Sequence, residues 1–220
     1  FQTILKISEL SYDPELTIQA LYREVCNQLA EIIDTSNFYI ARLRENGTML
    51  NFEYYKDKFG MSSEYPQYFP TRPIGKGFTE YVIENRETVF FTGKEMSSLS
   101  KSGERDARQD ISKSWLGSPL IADGVVLGAV VVQDYEDESK FQESDAQIFK
   151  FVSKHIASAI VRYEKKLEEQ LENEKLKLAS QYDGLTGLYN RESLTQKISE
   201  LLKSEQTNFS LLFIDLDGFK

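Results

Sequence analysis

The sequence predicts an α+β fold, with an antiparallel sheet and flanking helices, then a long coiled-coil helix, then the opening of a second, α/β unit. Three observations carry this. Two pairs of strand-like segments turn at Asn46-Gly47 and at Asp123-Gly124, dipeptides that supply the positive backbone angles of tight hairpins. From Ser144 to about Tyr182 the chain holds neither Pro nor Gly and repeats apolar residues at threes and fours, as one uninterrupted helix does. After it come a short amphipathic segment and a buried-strand pattern, FSLLFIDLDGFK.

Composition limits the function. A chain of 220 residues holds one good core and part of another. The net charge of -9 speaks against nonspecific nucleic-acid binding, since Lys and Arg cluster only in the charge-balanced long helix. One cysteine, Cys26, and one histidine, His155, leave no disulfide framework, zinc site or iron–sulfur cluster. Both read as structural: Cys26 as a core thiol on an early helix, His155 as a packed or interface residue. The longest apolar run, VVLGAVVV, is too short to cross a bilayer. No signal peptide is read, and the expected compartment is the cytoplasm.

In chain order, residues 1–34 carry helical periodicity in two stretches, parted by Asp13-Pro14-Glu15, with Asp as cap and Pro at the first helical position. NFYIARL and MLNFEYYKD alternate as the first hairpin. Residues 58–76 hold Tyr65, Pro66, Tyr68, Phe69, Pro70 and Pro73 and read as an aromatic loop. Gly75-Lys76-Gly77 opens a short helix, FTEYVIENR, and ETVFFT returns as a strand. Residues 93–113, polar and Ser-rich, read as a mobile loop with a helical turn. SWLGSPLIADGVVLGAVVVQDYE is the second hairpin. The sheet is expected to carry helices on one face and a looser, loop-built cover on the other.

The long helix reads as two halves. Ser144 followed by Gln147 resembles a capping box at its start, and Gly184 is the first residue able to stop it cheaply. The segment FKFVSKHIASAIVRY is apolar enough to pack on a domain, whereas the part after Lys165 is polar with a narrow stripe. Ile156, Ile160, Tyr163, Leu167, Leu171 and Leu178 form the expected dimer seam. Two four-residue steps meet at Leu167, and Glu174 falls where an apolar residue is expected, a stutter that locally unwinds a supercoil. The chain divides accordingly into a sensor-like domain at 1–163, a helical linker at 164–182 and a C-terminal piece at 183–220.

In that piece, Asp183-Gly184-Leu185-Thr186-Gly187-Leu188-Tyr189-Asn190-Arg191 is a compact turn, followed by a helix with Leu194, Ile198, Leu201 and Leu202. The final strand delivers Asp215 and Asp217 to its end, two apart and therefore on one side. Paired oxygens of this kind suit Mg²⁺. Gly218 allows close backbone approach, and its N–H with that of Phe219 can cradle a phosphate.

Two resemblances follow. The order GFTEYVI, SWLGSPLIADGVVLGAVVVQDYE, SDAQIFKFVSKHIASAIV resembles the GAF sensor family over about residues 15–163, most specifically at Trp115-Leu116-Gly117-Ser118-Pro119 and its hairpin. This implies a small-molecule or regulatory pocket between sheet and loops, and homodimerisation through the first and last helices. Phe52, Tyr54, Phe78, Tyr81 and Trp115 are the aromatics placed to wall such a pocket, or else they are core. No cyclic-nucleotide signature is visible, a bilin-binding Cys or His is absent from the right places, and the ligand is left unnamed.

DGLTGLYNR with the later Asp-x-Asp resembles the opening of the GGDEF domain of diguanylate cyclases, palm-like α/β domains that join two GTP molecules into cyclic di-GMP. The resemblance implies Mg²⁺ held by the Asp215 side chain and the Leu216 carbonyl, and phosphate contacts from the loop at Gly218 and Phe219, with Lys220 matching a basic residue. Glu192 departs from the family, which often has a second Arg there. The guanine-reading residues and the signature loop lie beyond Lys220, so no catalytic set is complete here and the chain by itself is expected to be inactive. The reading is thus a GAF-regulated diguanylate cyclase. The alternatives are a regulatory module with a degenerate GTP-binding GGDEF domain, perhaps ahead of a cyclic di-GMP phosphodiesterase, and a stand-alone dimerisation module.

Overall fold

The computed structural model describes residues 6–7, 16–58, 71–105, 112–203, 210–212, 214 and 218. The chain divides into two compact units, Phe1–Lys165 and Lys166–Lys220.

The first unit is built on a six-stranded antiparallel sheet in the order β3-β2-β1-β6-β5-β4. Its strands are β1 (Phe38–Arg44), β2 (Met49–Lys56), β3 (Arg72–Pro73), β4 (Val89–Thr92), β5 (Ser114–Ala122) and β6 (Val125–Asp134). Both expected hairpins form. Glu45, Asn46 and Gly47 all take positive φ at the first, and Asp123 and Gly124 at the second.

Strand alternation sorts the side chains onto two faces. Phe38, Ile40, Leu116, Leu120, Val130 and Val132 face α1 (Ile18–Leu29) and the first half of α4 (Glu143–Gln181), which contributes Phe149, Val152, Ile156 and Ile160. Cys26 lies in this core, as its reading predicts. Tyr39, Ala41, Trp115, Ala129 and Val131 face the other way, toward Phe78, Val82 and Ile83 of α2 (Phe78–Asn85) and Met96 of α3 (Gly93–Lys101).

That second face corrects the expected loose cover, because the stretch expected to be a mobile loop with a single helical turn forms the nine-residue helix α3. Thr92 and Glu95 make a full capping box, each side chain bonding the other's backbone N–H, and Met96 with Leu99 gives the helix an apolar side. The Ser-rich composition hid a short helix that its cap specifies. Residues 106–111 of the same stretch, and 59–70 of the aromatic loop, lie outside the described residues.

Two helix starts also differ from expectation. Residues 13–15 lie outside the described residues, and α1 begins at Ile18, where the Thr17 hydroxyl accepts the Ala20 N–H at 3.2 Å. Helix α4 begins at Glu143 rather than at a Ser144 cap. The Asp145 carboxylate accepts the Gln142 N–H at 2.8 Å, so the reciprocal bond comes from an acid one turn into the helix.

In the second unit α4 stops at Gln181, before Gly184, because Asn190 captures its end. The Asn190 amide donates to the Ser180 carbonyl at 2.6 Å, its backbone N–H donates to Gln181, and its side-chain oxygen accepts the Ser193 N–H that opens α5 (Arg191–Lys203). One side chain therefore caps two helices.

Candidate functional site

The aromatics singled out from the sequence do not gather in one place. Phe78 lies edge-on to Phe91 at 5.3 Å, and Trp115 stands 6.2 Å from Phe78 and 6.0 Å from Phe91. Tyr81 meets Phe91 at 5.5 Å, and Phe52 sits 5.5 Å from Tyr39. These four share the face covered by α2 and α3.

Tyr54 is on the opposite face, against Tyr22 and Phe38. Residues two apart on a strand normally share a face, but here β2 carries a bulge. Ile40 pairs with Tyr54 and Ala41 with Phe52, so Glu53 is an extra residue and the alternation inverts across it. The expected set of five thus becomes four on one face, with Phe78 and Trp115 in direct contact, Tyr81 joined to them through Phe91, and Phe52 apart from them against Tyr39. An open groove elsewhere, about 610 Å³ and lined by Lys94, Lys101, Lys113 and Glu136 among others, contains none of them.

Polar groups that the sequence did not flag are embedded beside this aromatic face. Glu80 is 1% exposed, and its Oε1 accepts the Gly75 N–H at 3.0 Å and a charge-assisted bond from the Arg72 guanidinium. Burial pushes the carboxyl's proton affinity up, but the Arg72 and Gly75 donors outweigh it and hold the pKa below the usual glutamate range. Glu80 Oε2 and Arg72 Nε, both buried, find no hydrogen-bond partner among the described residues. Arg72 also stands over the Phe52 ring at 5.7 Å, and the Tyr39 and Thr79 hydroxyls share a buried hydrogen bond of 2.9 Å.

On the opposite face, the one covered by α1 and α4, a second charged group stands out. Arg42 occupies an inward position after Phe38 and Ile40, where alternation calls for an apolar residue, and it binds Glu164 of α4. That break in the pattern is the sequence signal that would have found it. Burial opposes the Arg42 charge, while Tyr22, Glu164 and Glu53 more than restore it.

The expected dimer seam is divided. Ile156 and Ile160 are fully buried in the sensor-like unit's own core and Tyr163 packs against it, so these three serve the fold. The first half of α4 turns these side chains onto the sheet, where with α1 it closes that face. Leu167, Leu171 and Leu178 are 44%, 49% and 56% exposed. On the first half of the helix the exposed apolar residues are instead Ile148 and Phe151, with the His155 ring 5.0 Å from Phe151.

In the second unit the turn is compact. The Asp183 carboxylate accepts the N–H groups of Leu185 and Thr186 and the Thr186 hydroxyl, Gly187 takes φ +69°, and Tyr182 and Tyr189 stack at 4.9 Å. Asp215, Leu216, Asp217, Phe219 and Lys220 lie outside the described residues. Gly218 takes φ +78°, a backbone region that favours glycine. Among the described residues no cluster of His, Cys, Asp and Glu comes together to hold a metal ion.

A helix-clad antiparallel sheet continuing into one long helix defines a small α+β domain with a helical output. The chain belongs to the GAF domain family, whose pattern residues 15–161 match, and residues 180–220 match the start of the diguanylate cyclase GGDEF domain. Solved structures show the same fold. The GAF domain of an Acinetobacter phosphoenolpyruvate-protein phosphotransferase is 16% identical, with TM-score 0.56 over 76% of this chain and 96% of that one. Its Coxiella burnetii counterpart is also 16% identical, with TM-score 0.58 over 75% and 94%. Free methionine-R-sulfoxide reductase from Neisseria meningitidis, solved with its substrate, is 15% identical, with TM-score 0.56 over 74% and 89%. No curated protein sequence matches the chain. Among the described residues no helix is long and apolar enough to cross a membrane.

Proposed function

We propose that this chain is the sensor and signalling-helix region of a cytoplasmic GAF-regulated diguanylate cyclase, in which the GAF unit controls how two GGDEF domains meet. The carrying observation is continuity. One helix packs on the GAF core from Ala146 to Ile160 and ends at the Asn190-clamped turn with which the GGDEF match opens.

The chemistry explains the arrangement. Each cyclase domain holds one GTP, and the 3′-hydroxyl of one attacks the α-phosphorus of the other, breaking the bond to pyrophosphate. Two such displacements close the ring, so two domains have to face each other, and a homodimer raises their effective concentration. Exposed Leu167, Leu171 and Leu178 offer the pairing stripe. The Asp215 carboxylate and Leu216 carbonyl, an all-oxygen donor set, suit Mg²⁺, which when bound neutralises phosphate charge and favours deprotonation of the attacking hydroxyl. Asp217, two positions on from Asp215, would add a second carboxylate, and Gly218, Phe219 and Lys220 would receive phosphate. The aromatic face, with Arg72 and Glu80 beside it, is where a small-molecule signal would act.

The reading is tested by cyclic di-GMP formation from GTP and Mg²⁺ in a protein carrying this region joined to a whole GGDEF domain. Asp215→Ala is expected to lower the rate at least about a thousandfold, the scale of losing a charge-stabilising group. A GTP-binding dimer that makes no product without the substitution would move the assignment to a regulatory module.

The stripe has its own test. Leu171→Glu places like charges across a two-fold seam and is expected to turn a dimer into a monomer by sedimentation, with the melting temperature of the GAF unit unchanged. A variant that stays dimeric would place the contact elsewhere.

A further inference from the structure

Arg42 is a cation, 4% exposed, at the centre of a sheet, and every nitrogen of its guanidinium is engaged. Nε donates to the Leu127 carbonyl at 3.2 Å, Nη1 to the Tyr22 hydroxyl at 3.4 Å, and Nη2 to both oxygens of Glu164 at 3.1 and 3.2 Å. Two of the elements it reaches are irregularities. Leu127 is the extra residue of a bulge in β6, where Leu120 pairs with Gly128 but Ile121 with Val126. Glu53, the extra residue of the β2 bulge, accepts the Tyr22 hydroxyl at 2.5 Å and pairs with Arg44, whose Nη1 lies 3.8 Å from Glu164. Arg42, Glu164, Arg44, Glu53 and Tyr22 form a closed ring joining β1, β2, α1 and α4. Burial, then the Glu53 charge, raise the Tyr22 pKa well above normal, so the phenol stays neutral and donates.

The place of Glu164 gives the ring a purpose. It stands one turn beyond Ile160, after which no residue of α4 is buried. Apolar contacts are non-directional and let a helix slide or turn about its axis. A carboxylate with both oxygens on one fixed guanidinium does not. The two halves are unequal, too: Arg42 is locked in the sheet, while the Glu164 side chain is 37% exposed and has water to go to when released. A pair of this kind adds little net stability but much positional definition.

We propose that Arg42 and Glu164 form a latch that sets the rotation of the output helix as it leaves the GAF core, reporting the state of the two bulges to that helix. A shift of β1 against β2, or of Tyr22 on α1, opens the ring and frees Glu164, and the helix beyond it is then free to turn. The sensor reading supplies the reason for such a latch; its mechanics stand apart from any nucleotide chemistry.

The test is hydrogen exchange in the 220-residue chain. Glu164→Gln, which keeps shape and removes charge, is expected to speed exchange over residues 157–170 by about tenfold, with residues 114–134 within about twofold of the parent. Because Arg42 loses its counter-charge the melting temperature falls somewhat, and it is the confinement of faster exchange to 157–170 that the latch requires. Arg42→Lys, which keeps the charge but loses the branched donors, gives the same local pattern, and the double variant exchanges no faster than the more affected single one. Unchanged exchange over 157–170 in Glu164→Gln overturns the latch. So does a uniform rise across the domain, the mark of a general structural role. A protein that makes no cyclic dinucleotide leaves both results readable.

Discussion

Gly128→Ala is expected to destabilise the GAF unit by about 4 kcal/mol, combining the cost of a strained backbone with that of an overpacked site. Gly128 lies in β6, paired with Arg42 on one side and Leu120 on the other, at the edge of the β6 bulge. Its φ is +154°, and a Cβ there would come 2.0 Å from the Ala41 carbonyl oxygen and 2.8 Å from the Arg42 Cα. These are backbone atoms of a central strand, held by pairing on both sides, and they cannot step aside as a flexible side chain can. Gly124→Ala is the control. At φ +78° with nothing within 4 Å of the added atom, it carries strain without collision, and about 1 kcal/mol is expected. Denaturant unfolding of both variants separates the causes. If Gly128→Ala were no worse than Gly124→Ala, β1 would have to be movable where Arg42 sits, and the latch would lose its fixed half.

Much of the architecture could be read from local signals. The hairpins were legible because Asn-Gly and Asp-Gly specify turn conformation within a few residues, and the α2 helix because two glycines open it. Helix α3 was missed for the opposite reason. Its Ser-rich composition argues for loop, and only the Thr92 and Glu95 pair, three apart, states that a helix starts there. Tyr54 was placed with Phe52 because period two is the default for a strand, and nothing in MLNFEYYKD announces the bulge. Ile156 and Ile160 fit a heptad and an intramolecular core equally well, since both want apolar residues at threes and fours. Only the presence of the sheet decides between them. Arg42 and Glu164 are 122 positions apart, and Arg72 and Glu80 belong to different elements, so charge pairing across the fold left no spacing to read. The candidate site was therefore visible as a face of aromatics, while the buried charges that organise it were not.

Glu80→Ala is the second large effect, expected to lower stability by about 3 kcal/mol. It strips the Arg72 guanidinium of its carboxylate and leaves the Gly75 N–H without its acceptor, both on the segment that brings β3 to α2. Arg72 keeps a fifth of its side chain in water, which holds the loss below that of a wholly buried charge left alone. Glu80→Gln, close to isosteric, isolates the charge and brings in pH. The folded-state pKa of Glu80 is lowered by the Arg72 and Gly75 donors in spite of burial, while in the unfolded chain a glutamate titrates near pH ~4.3. A group with a depressed folded pKa stabilises fully above its unfolded value and loses that contribution as pH falls through the folded one. The stability gap between the parent and Glu80→Gln is therefore expected to be constant from neutral pH to about 5 and to close at more acid pH. Asp34 titrates in the same direction: partial burial pushes it up, but Lys140 and the Ser36 N–H bring it down to about 2. It is present in both proteins and cancels in the difference. Thermal or urea unfolding of the pair from pH 7 to 3 reads the gap directly. A gap that stays flat, or widens toward acid, would mean that the carboxylate beside the aromatic face is not held in its charged form by Arg72.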